Sequence, residues 1–130
     1  MTSRPPAPER LTDEIRALLG DGPPLVVGPL LGAVAAGAEA ADRSRTVSAD
    51  VIASLKASDL VRLSASAEIG GLGAPVLQIG RELEALAAAC TSTAWVMWNH
   101  LCVFHLFAGC LGPDNIEVLA AMVAGHETVC

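Results

Sequence analysis

The 130-residue chain has room for one domain with a modest core. Apolar residues make up 52% of it and charged residues 17%. Alanine is abundant and tyrosine absent, which suits closely packed helices better than a β-sandwich. The net charge of −6, with Lys56 the single lysine, excludes a nucleic-acid surface, and binding to anionic lipid is equally disfavoured.

Residues 1–24 open on a polar stretch rich in proline and charge. They read as a flexible tail, with a short helix over residues 10–19 stopped by Gly20-Asp-Gly-Pro-Pro24. No secretory signal is legible in them, so a cytoplasmic location is expected.

Residues 25–125 carry a helical pattern. The first helix spans about 29–43, with Leu30, Leu31, Val34, Ala38 and Ala41 on its apolar face. Ser48 is placed to cap a second helix over 49–58, which buries Val51, Ile52 and Leu55, and Asp50 suits its first turn. Leu60, Val61 and Leu63 follow. Residues 64–74 form a loop in which Gly70-Gly-Leu-Gly73 supplies backbone freedom. It reads as a chain reversal or as a loop edging a ligand cleft. A phosphate cradle is disfavoured because neither a preceding strand nor the needed lysine is present.

Pro75 starts a third helix to residue 90. Val76, Ile79, Leu83, Leu86 and Ala87 are expected inward, and Arg81, Glu82 and Glu84 outward. Thr91 or Ser92 then caps a helix over about 93–110 that has no formal charge yet holds both tryptophans and both phenylalanines. A last helix spans 113–124, with Ile116, Leu119, Ala120 and Val123 inward. The pattern gives an all-α antiparallel bundle of five to six helices.

The 93–110 helix concentrates the chemistry. It approaches membrane-spanning length, but Asn99, His100 and His105 fall mid-span and no basic flank sets an orientation, so a buried helix of a larger assembly is expected. His100 reads either as a core histidine bonded to a backbone carbonyl or as an imidazole facing a ligand cavity. Trp95, Asn99 and His100 are the candidate cavity residues, since aromatic walls with a few polar groups suit organic ligands. No metal site is expected. His100 and His105 are about 140° apart around a helix, and no Cys-x-x-Cys spacing occurs. Cys90, Cys102, Cys110 and Cys130 are read as free thiols, buried where they border apolar runs.

Four blocks together carry a resemblance. They are residues 40–55 (Ala-Ala-Asp-Arg-Ser-Arg-Thr-Val-Ser-Ala-Asp-Val-Ile-Ala-Ser-Leu), Leu60-Val-Arg-Leu63, Glu68-Ile-Gly-Gly-Leu-Gly73 and residues 83–96, which end in Ser92-Thr-Ala-Trp-Val96. In order and spacing they resemble the amino-terminal helical domain of the acyl-CoA dehydrogenase superfamily over residues 28–125. The Ser92–Val96 block followed by His100 is also similar to the two-component flavin-dependent monooxygenase branch. The resemblance implies a three-part enzyme of helical domain, β-barrel and carboxy-terminal bundle, using FAD or reduced flavin on a small organic or acyl-thioester substrate. In that assembly the helical domain closes one side of the substrate cavity.

On the same basis residues 126–130 read as the start of the following domain. The flavin contacts and catalytic glutamate of the family have no counterpart in these 130 residues. By itself the chain is therefore expected neither to bind flavin tightly nor to turn over substrate. His100 is the one residue carried over as a catalytic candidate. The implied partner is a barrel- and bundle-containing subunit or carboxy-terminal part. The alternative is a stand-alone helical binding or assembly protein that covers its 93–110 face by forming a homo-oligomer.

Overall fold

The computed structural model describes residues 22–128, together with Asp13 and Ala17. The helix expected over residues 10–19 and the thiol of Cys130 lie essentially outside the described residues. Within them are five α-helices, four short 3-10 turns and no strand. The helices are α1 (Leu31–Ser44), α2 (Ala49–Ala57), α3 (Val76–Ala89), α4 (Thr91–Leu111) and α5 (Ile116–Ala124). The all-α expectation is met, and each boundary falls close to its sequence signal.

Local chemistry explains those boundaries. Ser48 accepts from the Val51 N–H at 3.3 Å and caps α2 as expected. Between α2 and α3 the chain turns over Asp59–Arg62 and Ala67–Ile69 and then folds back on itself. Leu72 and Ala74 donate to the carbonyls of Arg62 and Leu63, while Gly71 and Gly73 donate to those of Ser66 and Ala65. Gly71 is required here, because a Cβ would lie 2.1 Å from the Ala65 carbonyl oxygen. Only Cys90, in an extended conformation, separates α3 from α4, so the chain turns a sharp corner and the two helices pack against each other.

Two apolar clusters organise the packing. The larger joins α1, α2, α3 and the first half of α4 through Val34, Leu55, Leu60, Leu86, Met97 and Leu101. The smaller gathers Ala65, Ile69, Phe104, Leu119 and Val123 where the loop and α5 meet the second half of α4. α4 is the one element that enters both.

Several side chains depart from the helical pattern. Val76, expected inward, is 81% exposed at the open end of α3, and Ile116 is exposed at the start of α5. Each is the first residue of its helix. Glu82, expected on a wet face, is fully buried. Neither Thr91 nor Ser92 caps α4. Cys90 occupies that position, and the Thr91 hydroxyl donates back to the Ala87 carbonyl at 3.4 Å. The described cysteines are free thiols, but of Cys90, Cys102 and Cys110 only Cys90 is buried.

Candidate functional site

The candidate site is the outer face of α4 and the groove it forms with α3. The inner face of α4 carries Thr93, Ala94, Met97, His100, Leu101 and Phe104, all buried. With 3.6 residues per turn, the opposite face carries Trp95, Trp98, Asn99, Cys102 and Leu106. A solvent-facing stripe would ordinarily be polar. Here Trp95 is 63%, Trp98 43% and Leu106 67% exposed. Among the described residues α4 is the one helix long and apolar enough to cross a membrane, yet only 28% of its most apolar stretch is buried.

The two tryptophans stack with centroids 5.0 Å apart and planes 20° from parallel. This is a favourable offset pair that presents one broad aromatic surface. Between α3 and α4 runs a groove of about 580 Å³, lined by Val76, Ile79, Leu83, Trp98, Leu101, Cys102 and Leu106, with Ser64 and His105 as its polar edge. Toward the Cys90 corner lies a second space of about 400 Å³, bounded by Leu83, Ala87, Ala94, Trp95 and Trp98. Trp98 is common to both spaces, as are Gly80 and Leu83. The tryptophan pair therefore divides the trough into an open end and a corner end. Neither volume is large for an organic ligand, but both are of the usual order.

His100 sits on the other side of α4. It is 1% exposed, and its Nε2 lies 2.6 Å from the Val61 carbonyl oxygen. Because the partner is an acceptor, Nε2 carries the proton and donates. Burial pushes the His100 pKa below the usual histidine value, outweighing the upward pull of the Val61 carbonyl, so the ring is neutral near pH 7. Phe104 packs against the imidazole at 6.0 Å between centroids. A cavity of only about 40 Å³ adjoins the ring, beside Leu55, Met97 and Thr128.

The three sequence candidates are thus not gathered in one pocket. Trp95 is on the outer face, His100 is in the interior, and the Asn99 amide donates to the Trp95 carbonyl at 2.8 Å. The residues that share the groove with Trp98, namely Ile79, Leu83, Cys102 and Leu106, lie on two separate helices. Their i, i+4 spacing on α4 (Trp98, Cys102, Leu106) was the available signal. The glycine loop also lines a groove, of about 620 Å³, with Phe104, His105, Ile116 and Leu119. It both reverses the chain and edges a cleft.

Cys90 is another residue the pattern did not single out. Burial pushes its thiol pKa up. The Thr93 hydroxyl and the N–H groups of Thr93 and Ser92 more than offset this, leaving it below the ordinary value. None of these contacts has the geometry of a full capping hydrogen bond.

The sequence profile of the acyl-CoA dehydrogenase N-terminal domain family matches residues 32–110, well over half of the chain. The chain belongs to this family. The match begins within α1 and runs through all but the last residue of α4, so the groove lies inside the family domain. Comparison of the chain with curated proteins and with solved structures found no match.

Membership of the acyl-CoA dehydrogenase family implies flavin in the full enzyme. Holding a flavin requires donors for its ring edge and groups to balance its phosphates. The open end of the α3–α4 trough has no charged lining residue and little besides Ser64 and His105 to bond with, and the corner end adds Glu84, an acceptor, and Thr91. Ser64 already donates to the Leu101 carbonyl at 3.3 Å. Among the described residues no buried side-chain polar atom lacks a partner, so none waits for a ligand atom. The groove is chemically an apolar wall, and its donor set does not fit a flavin.

Proposed function

We propose that this acyl-CoA dehydrogenase N-terminal domain serves a flavin oxidoreductase by supplying one apolar wall of its substrate cavity. Flavin and the reacting groups come from a barrel and bundle, in the same polypeptide or in a partner. The observation that carries this reading is the outer face of α4, where Trp95, Trp98 and Leu106 are exposed directly opposite a well-packed inner face. A substrate wall of this kind excludes water and positions an apolar body without bonding to it.

The division of labour follows from the geometry. Trp98, standing between two spaces, limits how far an apolar group reaches toward the Cys90 corner. Cys102 and Leu106 line the open end. His100 is a positioning residue, because its bond to Val61 fixes the rotation of α4 and hence the direction in which the tryptophans face. The same wall would serve the dehydrogenase and the monooxygenase branches, and the substrate is either an acyl thioester or a small organic molecule.

Co-expression with a protein bearing the barrel and bundle of the family tests this reading. The expected result is a defined complex that carries flavin and in which emission from the tryptophan pair moves to shorter wavelength. A chain that ignores such a partner and buries its tryptophans in a homo-oligomer would support the assembly-protein alternative instead.

A further inference from the structure

The buried carboxylate of Glu82 takes no part in the proposed cavity. It is fully inaccessible and lies on α3. Its two oxygens accept from the backbone N–H groups of Leu25, Val26 and Val27, with Val27 at 2.8 Å and Val26 at 3.1 Å to each oxygen. Gln78, one turn earlier on α3, adds its amide N–H₂ as a further donor. The backbone contacts span more than fifty residues of sequence.

The three backbone donors have a common origin. Residues 25–27 lead into the 3-10 turn Gly28–Leu30 and then α1, and Val27 provides no side-chain cap. Their N–H groups lie ahead of the helical turns and have no helical partner. A carboxylate supplies acceptors only. Glu82 therefore ties the segment that leads into α1 to a different helix. Val27, fully buried in the larger cluster, is the apolar half of the same attachment. Arg81, adjacent to Glu82, lies against Gly22 and extends the contact outward.

We infer that residues 22–30 form a strap that opens as a unit of its own, and that Glu82 is the latch that closes it. Val27 is the one strap residue that is fully buried, Val26 and Leu30 pack partly buried against the same cluster, and Glu82 on α3 is the polar anchor. The helices beneath it are held together by the rest of the larger cluster. Segments with few buried contacts open at lower free energy than the core they cover. Breaking the Glu82 contacts therefore frees the strap and the start of α1 while α3 and α4 stay packed.

The variant Glu82→Gln tests this directly. Glutamine has nearly the same shape, but either orientation of its amide turns an N–H₂ toward strap N–H groups. Native-state hydrogen exchange on the 130-residue chain gives the readout. In the wild type the amides of Leu25, Val26 and Val27 should be protected although they precede the helix, and less so than those of Met97 and Leu101. In Glu82→Gln their exchange should speed up by about tenfold to a hundredfold, the loss expected for charged hydrogen bonds. The Met97 and Leu101 amides should change by much less. Equal acceleration at all of these positions would show that the strap is inseparable from the fold, and the inference fails. Unprotected strap amides in the wild type, or unchanged ones in the variant, would show that Glu82 is no latch. If Glu82→Gln fails to fold, low denaturant applied to the wild type decides. The strap amides must then open before those of α4, and simultaneous opening overturns the inference.

Discussion

The two apolar clusters of this domain are built differently, although α4 runs through both. The larger is closed by specific buried polar contacts, His100 to Val61 and Glu82 to the strap, around well-packed side chains such as Leu55, Leu60 and Leu86. The smaller is made of Ala65, Ile69, Phe104, Leu119 and Val123, and it leans on a glycine loop and a two-turn helix. One therefore sets the rigid frame of the fold, while the other fixes the far end of α4 more lightly. The outward tryptophans stand over the rigid half, where the proposed substrate wall would need to be. Leu106 stands over the lighter half.

Truncations break this comparison most forcefully. Leu86→Ala should cost about 4 kcal/mol, within the range of about 2–5 for buried leucines, because its neighbours cannot collapse into the space. Leu119→Ala should cost about 2 kcal/mol, at the low end of that range, because the smaller cluster can relax. Urea denaturation of the two variants measures the difference, and equal losses would remove the distinction between the clusters. Gly71→Ala should lose about 2 kcal/mol or more, because its methyl meets the Ala65 carbonyl, and should loosen the loop and α5 before the larger cluster. Hydrogen exchange resolves that order.

Acid sharpens the comparison next. The folded pKa of His100 lies below its unfolded value, so the unfolded chain binds the proton first. This contribution is complete above about pH 6.5 and is lost as the pH falls toward the folded value, with a limiting slope of about 1.4 kcal/mol per pH unit. A His100→Gln chain, still able to donate to Val61, should lack that part of the pH dependence in denaturation curves collected from pH 8 to pH 5. The smallest effect is expected on the outer face. Trp95→Ala should change stability by no more than about 0.5 kcal/mol, since its ring leans on Trp98 and solvent rather than on the core.

Much of this was legible from the chain. Ser48, the apolar spacing of α1, α2, α3 and α5 and the family blocks pointed to an all-α domain, and the Trp95–Leu106 stretch marked the unusual helix. The misplaced residues each have a physical reason. Period-based reading sends every glutamate outward, and nothing local to Glu82 reveals three unpaired N–H groups arriving from residues 25–27. Val76 and Ile116 fit an apolar stripe but are the first residues of their helices and line open grooves instead of the core. His100 and Trp95 looked like members of one cavity because they are close in sequence, whereas five residues of helix turn them to different sides.

The outer face of α4 carries the functional account, and Leu106→Glu tests it most directly. Thermal unfolding of the chain alone should shift little, because Leu106 supports no core contact of either cluster. Assembly with the barrel- and bundle-bearing protein, followed by size and by flavin absorbance, should be lost. A Leu106→Glu chain that assembles as well as the wild type would contradict the claim that this face is the covered wall of a substrate cavity.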